Sequence, residues 1–469
     1  MSKGPNQIKD RRRRFSLRAS CKVIAAWLIA CSLVGASGAA RPSFDADGEA
    51  LIRHVFELLT QTFYRPLTSD QVQTGADGAI LAYARRQGAR NPTLSPHTDA
   101  GAANIIADVK EAAGKYHLDP LETAYAALHG MALSTHDRWT EFFTPKEFAS
   151  FDAPLDPKSI YGIGILIGTD ATTRFARAIY VIPNGPADEA GIAEGDVITE
   201  VSGTSTRGLS QEAITKLLRG SNGSVVHLVV RREGTDRQVS VIRASVHAPT
   251  VIVKSLPGNI GYIFVAVFAQ PTADEFAAAL ERLQKQQTRA IVLDLRDDGG
   301  GYVSAAVSIA SHFFGTGAVV TSVPRTGPTV TQDSDDEKPE VTLPVAVLVN
   351  GYTASASEIL AGALHDNHAA TLFGTRTFGK GVEQTVSRFP DGAAIKITSA
   401  RYFTPANHDV NGKGIEPDVS IGLNEHAVVG DPGKDSQLEA ALKYIRRQIA
   451  IRADSNGATS PRVMTWHGE

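Results

Sequence analysis

The stretch VAVLVNGYTASASEILAGAL, residues 345–364, leaves a run of valines, crosses small residues and enters a helix-forming sequence, with Ser355 at the bend. A hydroxyl at a helix N-terminus lies beside several backbone N–H groups, which can hold a developing oxyanion once a base reaches the hydroxyl. Ser355 also has a purely structural account. With Glu358 it matches S-x-x-E, the capping box in which serine and glutamate cap each other's backbone. This segment alone leaves both readings open, the cap being the simpler.

A base is offered by Lys380 in FGTRTFGKGVEQTVSRF. GTRTFGK matches the first seven positions of the phosphate-binding G-x-x-x-x-G-K-[ST] loop, but Gly381 stands where the magnesium-binding hydroxyl belongs. The continuation VEQTVSRF alternates like a strand instead of opening a helix, so a nucleotide-binding ATPase is set aside. As a general base Lys380 must be neutral. Lowering a lysine from about 10.4 to about 7 costs roughly 4 to 5 kcal/mol, which burial can supply. A solvated loop lysine is the simpler reading here too, although flanking glycines let another backbone or a substrate come close.

Two glycine-rich stretches complete the set. VLDLRDDGGGYVSAAV runs from a buried strand through three glycines into a helix, exposing backbone amides where Cβ atoms would obstruct. YGIGILI places Gly162 and Gly164 around an apolar entry loop, and Gly185, Gly191, Gly195 and Gly203 mark tight turns after it. No cluster of His, Cys or acidic residues has metal-ligand spacing, so neither metal nor cofactor is expected.

These segments need a scaffold, and 469 residues suffice for two or three domains. Residues 44–150 read as a helical N-terminal region, with apolar residues at three- and four-residue intervals in GEALIRHVFELLTQTFY and PLETAYAALHGMALSTHDRW. Residues 158–248 read as a compact β-rich module of short runs between Gly, Pro and Asn turns, with one helix, SQEAITKLLRG. From 250 to 425, continuous apolar strands alternate with helices, which implies a mostly parallel sheet covered on both faces. DSDDEKPE is expected to be a surface loop, and 426–469 a C-terminal helix and poorly ordered tail. The fold class is therefore multidomain α+β.

Residues 1–40 differ from the rest. KDRRRRFSLRASCK followed by VIAAWLIACSLVGASGAA has the basic, apolar and small-residue layout of an export signal, cleaved near Ala39 or Ala40. RRRFSL also looks like a twin-arginine signal. Both cysteines, Cys21 and Cys31, fall in this segment, so no disulfide stabilises the mature chain. LIAC resembles a lipoprotein signal that would lipidate Cys31 and leave a membrane anchor, though apolar filler is the preferred reading. The expected destination is the periplasm or cell envelope. Removing the +7 of residues 1–40 from the net −3 leaves −10 on the remainder, which argues against nucleic acid as a partner.

In this order the stretches resemble the carboxy-terminal processing (tail-specific) serine proteases over residues 50–420. HGMALSTHDRWTEFFTPKEF matches the segment before the family's PDZ domain, and PNGPADEAGIAEGDVITEVSG the PDZ core. GYIFVAVFAQPTADEF, LDLRDDGGG, VNGYTASASEILAGAL, GTRTFGKGVEQ and KITSARYFTPANHDVNGKGIEPDV follow in the family's order. The resemblance implies a PDZ-like domain and a ClpP/crotonase-like α/β protease core. It makes Ser355 the nucleophile, Lys380, 25 positions on, the general base, and Gln384 the residue orienting the lysine. It assigns the oxyanion hole to the amides of Gly300 and Ala356, with Ser357 and Glu358 as local scaffold. His136, His365, His368 and His408 are then surface or packing residues. Tyr161, Gly162, Ile163 and Gly164 would capture the C-terminal carboxylate of a protein or peptide ending in a small or apolar residue. Envelope adaptors and homo-oligomers through the N-terminal region are further expected partners. In one respect the sequence departs: Asp297, Asp298 and Gly299 stand where the family usually reads Asn-Asn-Pro or Asn-Gly, placing two acids by the oxyanion site. The rival reading is a catalytically silent PDZ scaffold that binds C-terminal tails in the cell envelope.

Overall fold

The computed structural model describes residues 46–157, 160–170, 173–334, 339–424, 427 and 429–456. The export signal, both cysteines, half of the acidic DSDDEKPE stretch (335–338) and the tail beyond 456 lie outside the described residues. No helix among the described residues is long and apolar enough to cross a membrane.

Two strands with nearly unbroken apolar sequence, Ala290–Asp294 and Val345–Val349, are buried at every position and pair in parallel. They occupy the middle of a six-stranded sheet running Val251–Leu256, Ile260–Val265, Ala290–Asp294, Val345–Val349, Thr371–Gly374 and Val419–Ser420. Only its first pair is antiparallel. A parallel sheet must be covered on both faces, and this one is. Helices Thr272–Lys285, Val303–Ser311 and Ala356–Asp366 bury one face around Ile263, Leu293, Val347 and Leu360. Helix Ser436–Asn456 buries the other, setting Leu438, Ala441, Leu442 and Ile445 against Val292, Ala346, Leu348 and Phe373.

Arg296, just beyond the first of those two strands, Ala290–Asp294, fastens that last helix. It is only 1% exposed, yet it donates to both oxygens of Asp294 and of Asp435 at 2.6–3.0 Å and to Gln437 Oε1 at 2.9 Å. Asp435 in turn accepts from Gln437 N and Leu438 N and so starts the helix. Removing one member of a buried ionic cluster leaves the others uncompensated. Arg296→Met is therefore expected to destabilise the fold by about 3 to 5 kcal/mol, measured by denaturant unfolding; a loss within experimental error would show that the cluster contributes nothing net.

A second sheet joins strands Glu141–Phe143, Ala394–Phe403, Ala318–Pro324 and Val330–Asp333, with Val382–Arg388 also paired to Ala394–Phe403. Helices Ala46–Thr62, Ser69–Arg86, Ala102–Tyr116 and Pro120–Leu133 pack on it, burying Phe142, Ala393, Ile395 and Ile397 among Leu59, Ile80 and Leu128. The helical reading of 44–150 thus needs one correction. Glu141–Phe143 is a strand, because its two buried phenylalanines serve a sheet completed some 250 residues downstream.

Residues 160–246 form the expected β-rich module: a six-stranded sheet plus the pair Ile160–Gly162 and Ala244–Val246. Strand Ile165–Thr169 lies at its edge, and Gln211, the first residue of helix Gln211–Leu218, donates to Ile167 O at 3.0 Å.

Candidate active site

In open α/β sheets, sites form beyond the carboxyl ends of the strands. Here the two adjacent buried strands each end in a chemistry-bearing loop, 297–301 and 350–357. Hydrogen bonds stitch the loops together. Asn350 accepts from Asp297 N at 3.1 Å and donates to Asp297 Oδ1 at 2.9 Å, and Thr353 Oγ1 donates to Leu295 O at 2.8 Å. Ala354 N and Ser357 Oγ both donate to the main-chain oxygen of Asp298, at 3.0 and 3.1 Å. Gly300 then lies directly against the serine. It has φ +91°, and a β-carbon there would stand 2.8 Å from Ser355 Cβ and 2.7 Å from Ala356 N. Only glycine fits that contact.

Ser355 occupies the N-cap of helix Ala356–Asp366 with φ 59° and ψ −119°, a backbone conformation that a residue with a Cβ adopts only at a cost. The glutamate half of the capping box is present: Ser355 N donates to Glu358 Oε2 at 3.0 Å. Glu358 does far more than cap. Fully buried, it also accepts from Lys380 N at 2.9 Å, Gly379 N at 2.7 Å and Thr377 Oγ1 at 2.5 Å. Burial raises its carboxyl, opposed by these donors. Because Ser355 N and Lys380 N share Oε2, the sum of those two bond lengths, 5.9 Å, is the most that can separate the two nitrogens. One carboxylate thus ties the candidate nucleophile to the candidate base.

The glycines beside Lys380 admit the chain's own backbone. A β-carbon on Gly381 would stand 2.2 Å from Asn411 N, and one on Gly379 2.9 Å from Gly414 N. Strand Val382–Arg388 follows, so the loop does not itself open into a helix as a phosphate-binding loop does. The Lys380 ammonium lies 4.6 Å from the ring centroid of Trp139, whose ring also carries Arg138 at 4.4 Å. Burial lowers the amine to about 8, helped by the Lys396 and Arg138 charges and opposed by Glu358 and Asp137.

The remaining expected residues divide. Ala356 N–H carries no hydrogen bond among the described residues, as an oxyanion donor should. Gly300 N–H differs, donating to Asp298 Oδ1 at 2.8 Å. Lys380 Nζ makes no hydrogen bond to Ser355 Oγ or to Gln384. Gln384 instead donates to Val382 O at 3.2 Å and Thr398 Oγ1 at 3.4 Å, and Thr398 Oγ1 donates to Asp137 at 2.6 Å. The physical reason is that the lysine side chain lies along the Trp139 face. His365 stands at the far end of the serine's helix, bonded to Asp366 at 2.8 Å, and takes no part. In the β-rich module, Tyr161 is 48% exposed and Ile163 is buried. Gly164 adopts φ +72°, and the N–H groups of Ile163 and Gly164 have no hydrogen-bond partner among the described residues.

Sequence reasoning underrated Glu358 and gave Trp139 no role. The signal for Glu358 was the S-x-x-E pattern, though its other donors come from a separate loop. For Trp139 there was only an aromatic beside charges in HDRW. Glu358→Ala strands several buried donors. It is expected to cost about 3 kcal/mol or more and to lower kcat at least about tenfold, since 1 Å of misplacement suffices for that. Thermal unfolding and turnover check both effects; an active, stable variant would deny Glu358 its organising role.

Known proteins are similar to this chain over most of its length. The sequence profile of peptidase family S41 matches residues 259–421, and that of the PDZ domain residues 178–232. A "Carboxyl-terminal-processing protease" of Picosynechococcus sp. is 35% identical over 347 residues, 72% of this chain and 83% of that protein. A "Probable CtpA-like serine protease" of Staphylococcus haemolyticus is 31% identical over 338 residues, 71% of this chain and 67% of that one. Among solved structures, the photosystem II D1 C-terminal processing protease is 27% identical, covering 81% of this chain and 94% of that chain with a TM-score of 0.42.

Proposed function

Because this chain belongs to peptidase family S41 and is a serine-type peptidase of the carboxyl-terminal-processing kind with a PDZ domain, we propose that Ser355 and Lys380 are its catalytic dyad. Neutral Lys380 takes the Ser355 proton as the hydroxyl attacks a peptide carbonyl; the amine side of the peptide leaves with a proton returned by the lysine, and water then cleaves the acyl-enzyme. The oxyanion is held by the Ala356 N–H, with the Gly300 amide, which donates to Asp298 Oδ1 at rest, as the second donor that the family resemblance implies. The observation that carries this reading is Glu358, whose single carboxylate gathers the backbones of Ser355 and Lys380 beside a half-buried, weakened amine. Proton transfer requires hydrogen-bond reach, so the lysine side chain leaves the Trp139 face and turns toward Ser355 during turnover, with Gln384 orienting it there.

The PDZ module selects the substrate. A tail added to the edge strand Ile165–Thr169 would bring its carboxylate to the unpaired amides of Ile163 and Gly164. The buried Ile163 side chain favours tails ending in small or apolar residues. The basic and apolar residues 1–40 support export to the periplasm or cell envelope, which cell fractionation would test. Envelope adaptors and assembly through the N-terminal helices belong to the same reading; size exclusion with and without residues 44–150 tests the latter. The decisive experiment incubates an unfolded protein ending in apolar residues with wild type and with Ser355→Ala. Cleavage by wild type alone supports the dyad, and persistent cleavage by the variant refutes it.

A further inference from the structure

Asp298 is a fully buried carboxyl in the glycine loop, two residues before the glycine that touches Ser355. Its Oδ1 accepts the Gly300 N–H at 2.8 Å, while Oδ2 is buried with no hydrogen-bond partner among the described residues. Among the described residues no cation pairs with it. On its own loop, Arg296 is committed to Asp294 and Asp435, and Asp297 to Asn350. On the serine's helix, Ser357 donates to the Asp298 main chain and Glu358 is filled by its own donors. From the neighbouring strand Tyr402 donates to Ser355 O, and the Lys380 amine lies over Trp139.

An ionised carboxylate with an orphaned oxygen and no counter-charge is among the costliest things to bury, whereas the neutral acid is tolerated. An anion here would also sit directly behind the loop whose amides must hold a developing negative charge. We propose that Asp298 is a positioning residue that serves this peptidase as a neutral acid, setting the glycine loop through Gly300, and that loss of its proton switches catalysis off. The proposal rests on the Ser355–Lys380 reading of the site. Burial, opposed by the Gly300 N–H and by the nearby Ser357 hydroxyl, whose hydrogen bond goes to the Asp298 main-chain oxygen, pushes the carboxyl up to about 8, which agrees with the geometry.

The consequence is a narrow pH window. Lys380 must lose its proton and Asp298 keep its own, and both change near 8, so at pH 8 about a quarter of molecules are competent. On the alkaline side activity falls with a one-proton slope. Asp298→Asn keeps an acceptor for Gly300 N–H and cannot ionise. Its kcat/KM is expected to rise to a plateau, exceeding wild type at pH 9.5 by on the order of 30-fold, with circular dichroism showing both proteins folded there. An alkaline limb retained in the folded variant would overturn the proposal.

A second readout does not use turnover. In the Ser355→Ala protein, the infrared carbonyl band of protonated carboxyls should lose a component when Asp298→Asn is added; that component, distinct from the Asp77 carboxyl that burial raises to about 7, should be present at pH 7 and vanish through the alkaline range. If that component is missing at pH 7, Asp298 is ionised and the proposal fails; should the double variant not fold, the same titration in Ser355→Ala carrying Asp77→Asn, which removes the other raised carboxyl, decides. Cleavage by Ser355→Ala would instead sink the dyad and leave the infrared result standing.

Discussion

Ser355→Gly is expected to be inactive yet more stable than the wild-type protein. The φ of 59° and ψ of −119° at this position belong to a region open to glycine and strained for any residue with a β-carbon, by about 1 to 3 kcal/mol. Against that relief stands the extra entropy of a glycine in the unfolded chain, about 0.5 to 1 kcal/mol. The net gain is then about 1 kcal/mol, a few degrees in melting temperature. Ser355→Ala keeps the strain and should melt near wild type. Cleavage should fall by roughly 10⁴ or more in both, because nucleophile and base act as a unit. The contrast matters more than either number: a serine held for capping alone would not be kept in a conformation that strains it. Were glycine to lower stability and alanine to raise it, the strain would not be located at this residue.

Lys380→Met should likewise abolish turnover and stabilise the protein at neutral pH. The folded state holds the amine at about 8, against an ordinary value of 10.5. Between those values the unfolded chain binds the proton and the folded chain releases it, so stability rises with pH across that window. Below about 8 the whole cost of burying the ammonium is present. A shift of this size corresponds to about 3 kcal/mol, from which the ammonium's attraction to the Trp139 face, about 0.5 to 1 kcal/mol, is subtracted. Methionine, similar in length and uncharged, is therefore expected to gain about 2 kcal/mol at pH 6.5 and nearly nothing at pH 10.5. The same titration gives kcat/KM of the wild type its rising limb near pH 8. Denaturant unfolding at the two pH values decides it, and a gain that does not change with pH would mean that the lysine is not destabilised by burial.

Both variants trade stability against the site, and the cost has to be borne by the surrounding fold. Arg296 with Asp294 and Asp435, and Glu358 with its donors, are the buried clusters that hold the two loops and the last helix in place. They explain how a strained serine and a desolvated lysine persist side by side.

Much of this was legible in the residues. The continuous apolar runs at 290–294 and 345–349 announced central parallel strands, because strands buried on both faces need no polar alternation. The triple glycine and the small residues before Ser355 announced close backbone approach at their carboxyl ends. Strand Glu141–Phe143 was not legible, since three residues carry no period and their partner is distant. Nor was the site's electrostatics. Whether Lys380 can be a base depends on Trp139, Lys396 and Arg138, and whether Asp298 keeps a proton depends on the packing that leaves Oδ2 without a donor. Hydrophobic period and turn chemistry are properties of neighbours along the chain, so the sequence by itself determined the strands, the bends and the order of the motifs. Desolvation and shared hydrogen bonds are properties of neighbours in space, and only the tertiary structure decided which acid is neutral and which amine is weakened, and that Glu358 joins Ser355 to Lys380.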